Sequence, residues 1–473
     1  MKAAIAIGVC AAFSAAPLAC SSSTSGGLSH MSADAGSTGG ASGASGASGG
    51  GGASGASGGS GAGGTSAGGA TSDAGGATGG TSASGGSPGT GGGTADGGGD
   101  VFGPFAGGAQ YYAKFSHGPP SDPSFFPITV WLQSPDRAAD YAAIGINTYV
   151  GLWQGPTDAQ ISTLAATGMP VACDQNATGL AHLNDATIVA WTQQDEPDNA
   201  QPATGGGYDP CIPASTIKSL YAQMKASDPT RPVFLNLGQG VAHDYIGWGS
   251  ECAATHPADY PDYVAGADIV SFDIYPSNET STDVAGKLWY VAEGVKNLVR
   301  WAGKKPVWNW IECTGIDDPS LKPTPDEVKA EVWMSIVNGS MGIGYFVHQF
   351  QPSFDEHALL DDATMKAAVA AINAQLRELA PVLNTPPVTN GGSVSSSDSS
   401  VPVDMLIKRQ GGATYVFAVA MRGSPTHAAF SGLTRIPAGA TVTVLGESRD
   451  ITLGNDGFED DFPAWGVHLY EIH

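Results

Sequence analysis

The run W-N-W-I-E-C-T-G at residues 308–315 decides the fold. With Pro306-Val307 ahead of it, this is a strand-length apolar stretch in which Trp308, Trp310 and Glu312 fall on one side and Val307 and Ile311 on the other. It stops on a carboxylate. A second run of the same kind, Thr187–Glu196, ends within Q-Q-D-E-P-D-N at 193–199. Working outward from these two, strand-like runs recur at Phe126–Gln133, Ile146–Trp153, Met169–Gln175, Pro232–Gly238, Asp268–Tyr275 and Met341–Phe350. Helical periodicity occupies Pro135–Ile144, Asp158–Thr167, Ala214–Ser227, Leu288–Ala302, Pro325–Asn338 and Asp362–Leu383. Pro325-Asp326-Glu327 reads as a helix start, with proline at the first turn and acids facing the positive end of the helix dipole. The links after the third and fifth runs are poorly helical. Eight alternations over about 260 residues have the size and order of a (β/α)8 barrel. The competing doubly wound open sheet carries G-x-G-x-x-G after an early strand, and here none follows an early strand.

The flanks differ sharply from this core. From about Pro387 short alternating runs, V-P-V-D-M-L-I, T-Y-V-F-A-V-A-M, T-V-T-V-L and W-G-V-H-L-Y-E-I, are separated by Gly, Ser, Asp and Asn. They predict a small antiparallel β-sandwich over 387–473, following a barrel domain over 101–386. At the other end, residues 1–19 have one basic residue, the apolar run Ala3–Phe13 and a small-residue stretch, the layout of a secretory signal. Cys20 follows Leu18-Ala19 and precedes three serines, which resembles a bacterial lipoprotein cleavage box except that Pro17 departs from it. Lipidation at Cys20 would tether the chain to a membrane without a spanning helix, and ordinary secretion is the alternative. Either way the chain is expected outside a bacterial cytoplasm, on the outer membrane or cell surface or released. Residues 20–100 are Gly, Ala, Ser and Thr with almost no large apolar side chain, a composition that cannot offset its ordering entropy and predicts a flexible linker. No other segment has the 18 or more apolar residues that spanning needs.

Charge and cysteines narrow the function classes. Against 20 basic residues stand 44 acidic ones, a net charge of −24, and such a surface repels nucleic acid. Cys211 and Cys252 lie in loop-like sequence and are expected to pair in an exported protein, whereas Cys173 and Cys313 sit inside strand-like runs and are expected to be buried thiols. No C-x-x-C or H-x-H spacing occurs, so neither a metal nor another cofactor is expected. The chain is expected to be a monomer.

The chemistry follows from the two glutamates. Barrel sites form where strands end, and Glu196 and Glu312 close the fourth and seventh runs. Cleaving a sugar acetal needs one carboxyl to protonate the leaving oxygen and another to attack or stabilise the cationic anomeric carbon. The pattern resembles clan A of the glycoside hydrolases, retaining (β/α)8 enzymes with an acid/base glutamate at the end of strand 4, usually in Asn-Glu-Pro, and a nucleophile glutamate at the end of strand 7. The resemblance covers Phe126 to about Leu383 and implies Glu196 as acid/base, Glu312 as nucleophile and a poly- or oligosaccharide substrate. Asp195-Glu196-Pro197 departs from it, with aspartate in place of the asparagine that contacts the sugar. The resemblance extends to Tyr275, where the clan often holds a tyrosine beside its nucleophile.

Other candidates carry weaker signals. Alternation points Asp273 inward, either to tune the site or to bond backbone and hydroxyls. The eighth run lacks the clan's tryptophan floor, leaving Phe346, His348 or Phe350 to replace it; His348 reads first as a core histidine and second as a substrate hydrogen-bond donor. Trp153 and Trp310 are placed to stack on a pyranose face. Two alternatives stay open: a substrate-assisted hexosaminidase using Asp195-Glu196, and a surface protein that binds glycans without cleaving them.

Overall fold

In the computed structural model, which describes residues 99–203, 206–243, 252, 258–437, 439–455 and 457–473, the eight runs form one closed parallel barrel. The signal, Cys20 and nearly all of the linker lie outside the described residues. The strands are β1 (Ile128–Trp131), β2 (Thr148–Val150), β3 (Val171–Asp174), β4 (Ile188–Thr192), β5 (Val233–Leu237), β6 (Ile269–Asp273), β7 (Val307–Glu312) and β8 (Ile343–Phe346). Each pairs with its sequence neighbour, and β8 pairs with β1 to close the cylinder.

Helices α1 (Ala138–Ala143), α2 (Asp158–Thr167), α3 (Ala177–Ala181), α4 (Ala214–Ser227), α5 (Tyr260–Ala265), α6 (Trp289–Ala302), α7 (Pro325–Val337), α8 (Ala358–Asp361) and α9 (Ala363–Leu383) surround it. Among the described residues, the links that looked poorly helical hold the short α3 in one and a 3-10 turn, Gln239–Val241, with the short α5 in the other. Thr324 and Glu327 form a reciprocal capping box at the start of α7, satisfying backbone N–H groups that the first turn leaves without partners. Among the described residues no helix is long and apolar enough to cross a membrane.

The barrel interior is filled by pairing large residues with small ones. Trp308 and Trp310 of β7 point inward beside Phe234 of β5, with ring centroids 5.3 and 6.3 Å from the phenylalanine. Trp131 of β1 meets Trp310 edge-on at 5.1 Å. Room for these indoles comes from β8 and the residue ahead of it: a Cβ on Gly344 would lie 2.2 Å from Trp310, and one on Gly342 would lie 2.6 Å from Trp308. The segment ahead of β1 plugs the end of the cylinder where strands begin, since the Tyr112 hydroxyl accepts a hydrogen bond from Trp308 Nε1 at 3.1 Å.

The C-terminal region forms two antiparallel sheets from β9 (Ser393–Ser396), β10 (Val403–Gln410), β11 (Ala413–Ala420), β12 (Thr426–Ser431), β13 (Thr441–Val444), β14 (Arg449–Thr452), β15 (Gly457–Phe462) and β16 (Val467–Ile472). Their orders are β9-β12-β15 and β10-β11-β16-β13-β14. The larger sheet is apolar on both faces. Phe417, Val419 and Leu469 join the core shared with α7 and α9, while Val416, Ala418 and Tyr470 pack with Phe430, Phe458 and Phe462 of the smaller sheet. The Lys408 ammonium of β10 donates to the Leu383 carbonyl at 2.6 Å, so the sandwich caps the end of α9. Cys211 and Cys252 form a disulfide with Cα atoms 5.4 Å apart, and Cys173 and Cys313 are buried free thiols, as the sequence led us to expect.

Candidate active site

Glu196 does not close β4. That strand ends at Thr192; Gln193 N–H still donates to the Phe234 carbonyl at 2.8 Å, while its side-chain amide turns outward to the carbonyls of Ile217 and Gly266 at 3.0 and 2.9 Å. Strand alternation therefore says nothing about Glu196, which sits in the following loop with φ of 40°, a left-handed conformation that costs a non-glycine residue on the order of 1 kcal/mol or more. The loop is held to the end of β5. Glu196 N–H donates to the Asn236 carbonyl at 3.1 Å, and the wholly buried Asp198 accepts from Gly238 N–H at 2.9 Å and from the Tyr260 hydroxyl at 3.2 Å. Such strain persists only where surrounding bonds impose it, and here they fix a carboxyl at the open end of the barrel.

That carboxyl faces Asp273 at the end of β6. Glu196 and Asp273 share a hydrogen bond, with Asn199 donating to Glu196 and Tyr275 donating to Asp273. Burial first, and then the facing Asp273, push Glu196 well above the ordinary carboxylate range. Burial raises Asp273 to about 7 against the pull of its donors. Two carboxyls in contact cannot both ionise cheaply, so the pair holds one proton near neutral pH. Asp195 lies alongside, raised by burial and by Glu196, and Asp198 is raised by burial to about 6. Glu196, Asp195, Asp273 and Tyr275 all keep part of their surface open to solvent.

Glu312 is arranged differently, held by the loop after β6. Its carboxylate is fully buried and accepts from Ser277 N–H at 2.6 Å, Asn278 N–H at 2.9 Å and Asn278 Nδ2 at 2.6 Å, all from the loop after β6. It also meets Glu331 of α7. Burial raises Glu312 to about 7, and burial together with Glu312 pushes Glu331 well above its usual range, so this pair also carries a proton. Tyr275, just past the end of β6, and Phe346, at the end of β8, come within 5.3 Å of each other across the end of β7. The expectation that Glu312 opens to substrate is corrected in this state: donors from the neighbouring loop capture a carboxylate that strand alternation alone would have turned to the mouth.

Two further candidates move, and a third, His348, keeps its first reading. Trp310 is 2 % exposed and fills the barrel, its Nε1 donating to Ser271 Oγ at 3.1 Å, so it offers no face to a sugar. His348 is 3 % exposed, lies within hydrogen-bonding distance of Gln133 Nε2 at 3.2 Å and is lowered to about 4 by burial, which makes it a neutral core histidine. Trp153 is exposed on the loop after β2, where its carbonyl accepts from Gln160.

Sequence reasoning missed Asn236 and Phe354; the latter extends Phe346 and Phe350, both weighed as a sugar floor, into a strip of rings with successive centroids 6.5 and 5.6 Å apart, which runs outward from Tyr275 to an exposed Phe354. The signal for Asn236 was present as a polar residue inside the apolar V-F-L-N-L. Among the described residues one cluster has metal-ligand composition, Asp355, His357 and Asp361. There Arg137 Nη2 lies 3.1 Å from His357 Nε2, and a guanidinium in that position opposes a cation.

No family model and no curated protein sequence matches the chain. Solved structures similar to it include AmyP in complex with maltose, at 9 % identity and a TM-score of 0.46 over 73 % of this chain and 96 % of that one. A GH30 endoxylanase from Clostridium papyrosolvens C71 is similar at 12 % identity and a TM-score of 0.43, over 73 % and 96 %. The GH30 subfamily 8 xylanase Xyn30A from Clostridium acetobutylicum is similar at 15 % and 0.41, over 74 % and 95 %. At such identities and scores the likeness assigns no activity, and the fold stands on the strand order itself: a closed eight-stranded parallel barrel followed by an antiparallel sandwich.

Proposed function

We propose that the protein is a glycoside hydrolase acting on a neutral poly- or oligosaccharide, with Glu196 as general acid and base. The observation that carries this reading is the contact between Glu196 and Asp273 at the barrel mouth, which keeps a proton on a carboxyl at neutral pH. Glycosidic oxygens leave only when protonated, and such a group supplies the proton. The groups facing Glu196 are carboxyl and amide, with a phenol beside them, which suits hydroxyl-rich neutral sugars and repels anionic ones. The strip from Tyr275 to Phe354 provides apolar faces for sugar rings.

In the double-displacement version Glu312 attacks the anomeric carbon, and it must first leave Ser277 and Asn278 to do so. Its burial favours a second version, in which a substrate acetamide is the nucleophile and an aspartate beside Glu196 orients it. The protein is further read as an exported monomer, secreted or lipid-tethered at Cys20.

Initial rates on neutral aryl glycosides, 2-acetamido analogues and polysaccharides test this with wild type, Glu196→Gln and Glu312→Gln. Glu196→Gln is expected to lose about 10²–10⁴ in rate. Loss of turnover in Glu312→Gln, restored by azide, selects double displacement. Retained turnover confined to 2-acetamido sugars selects substrate assistance. Glycan binding by wild type without release of reducing ends removes the hydrolase reading.

A further inference from the structure

One polar chain crosses the barrel interior and ends on the acids. Trp310 Nε1 donates to Ser271 Oγ at 3.1 Å, and Ser271 Oγ donates to Asn236 Oδ1 at 2.7 Å. Asn236 Nδ2 then donates to Asp195 Oδ1 at 3.1 Å and to Asp273 Oδ1 at 3.3 Å. Its direction is fixed by chemistry. An indole nitrogen can only donate, so the Ser271 hydroxyl accepts from it and its own hydrogen goes to Asn236. The Asn236 oxygen is thereby occupied, and the amide must present N–H groups to the carboxylates.

We propose that Asn236, oriented by Ser271 and Trp310, is the positioning residue of the acid cluster and determines that the shared proton sits on Glu196 rather than on Asp273. A donor aimed at Asp273 favours its charged form, and Asn236 gives Glu196 no such bond from its side chain. The other groups on the pair act from several elements. Asp198 and Asn199 of the β4 loop face Glu196, Asp195 faces both acids, and Tyr275 from the end of β6 donates to Asp273. The phenol works in the same sense as Asn236, while Asp195 and Asp198 resist further ionisation of the pair. Trp310, read from sequence as a sugar platform, thus starts a chain that orients the acids from below. The inference rests on Glu196 as the proton donor of the proposed hydrolysis, but it concerns the free protein.

The test is carbon NMR of the Glu196 and Asp273 carboxyls against pH, in substrate-free protein selectively labelled at Glu and Asp and assigned with Glu196→Gln and Asp273→Asn. In wild type above about pH 7 Glu196 is expected at the protonated position and Asp273 at the ionised one. In Asn236→Leu the two signals converge, and the Asp273 midpoint rises by about one to two pH units, the size expected for a lost hydrogen bond to a charged group. Ser271→Ala, a smaller change that frees the amide to flip, moves both signals the same way by less. An unchanged titration in Asn236→Leu overturns the proposal. Should that variant not fold, an unchanged titration in Ser271→Ala does so, and a wild-type proton found on Asp273 does so without any variant. The hydrolase reading is judged separately: a wild type that places the proton on Glu196 but cleaves no glycan sinks that reading alone, and an active wild type whose titration ignores Asn236 sinks the positioning role alone.

Discussion

Asp273 and Glu312 each keep a proton in the folded protein that they release far earlier when unfolded. Their ordinary values are 3.8 and 4.5, and both stand at about 7 in the fold. Between those limits the folded state binds more protons than the unfolded one, so stability falls as pH rises. The thermal midpoint is therefore expected to decline from about pH 4 to about pH 7. Glu331→Gln removes one acid of the buried pair and should flatten that decline; a melting series at constant ionic strength reads it, and a slope identical to wild type would dismiss the contact. Catalysis is expected to follow the other edge, with kcat/KM lost on the alkaline side as Glu196 ionises. The residues divide by how much of this the sequence revealed. Glu196 was singled out because D-E-P closes an apolar run, though as a strand end rather than the loop residue it is, and Asp273 because alternation turned it inward. The burial of Glu312 was not, since its captors, Ser277, Asn278 and Glu331, come from a different loop and helix. For Trp310 the sequence offered no choice between barrel filler and sugar platform, because both require an inward side chain.

Strands β7 and β8 show how element-level pattern carries the fold. W-N-W on one is matched by G-I-G on the other, so that two indoles occupy the space that two absent side chains leave. Gly344→Ala places a methyl group against Trp310 and should cost about 1–3 kcal/mol by overpacking, measured as a shift in urea midpoint at unchanged slope. A variant as stable as wild type would mean that the indole yields easily. The eight strands and the long helices were readable because period 2 and period 3.6 differ over such lengths. Strand ends were not. Runs such as Thr187–Glu196 outlast the ladder: polar residues after Thr192 leave strand geometry to meet Ile217, Gly266 and Asn236, contacts that no local pattern encodes.

At the scale of the molecule, barrel and sandwich share a core. Trp333 of α7 packs on Phe417 of β11 with centroids 5.2 Å apart, and Lys408 joins β10 to the end of α9. Residues 99–473 are thus expected to unfold in a single calorimetric transition, and two resolved transitions would show that the sandwich is an independent unit. The sequence announced two regions but not their shared interior, because T-Y-V-F-A-V-A-M reads the same whether its second face meets a sheet or a helix. The chain enters this body at Asp100, which is gripped by Arg435 at 2.9 Å and Arg409 at 3.3 Å beside the sandwich, and then runs on to plug the end of the barrel where strands begin. Glu196 opens at the opposite end. A bead, dye or carrier protein fused ahead of Asp100 would accordingly sit at the stopper of the bottle and leave its neck clear, so a chain immobilised by that end should handle long soluble polymers as readily as one free in solution.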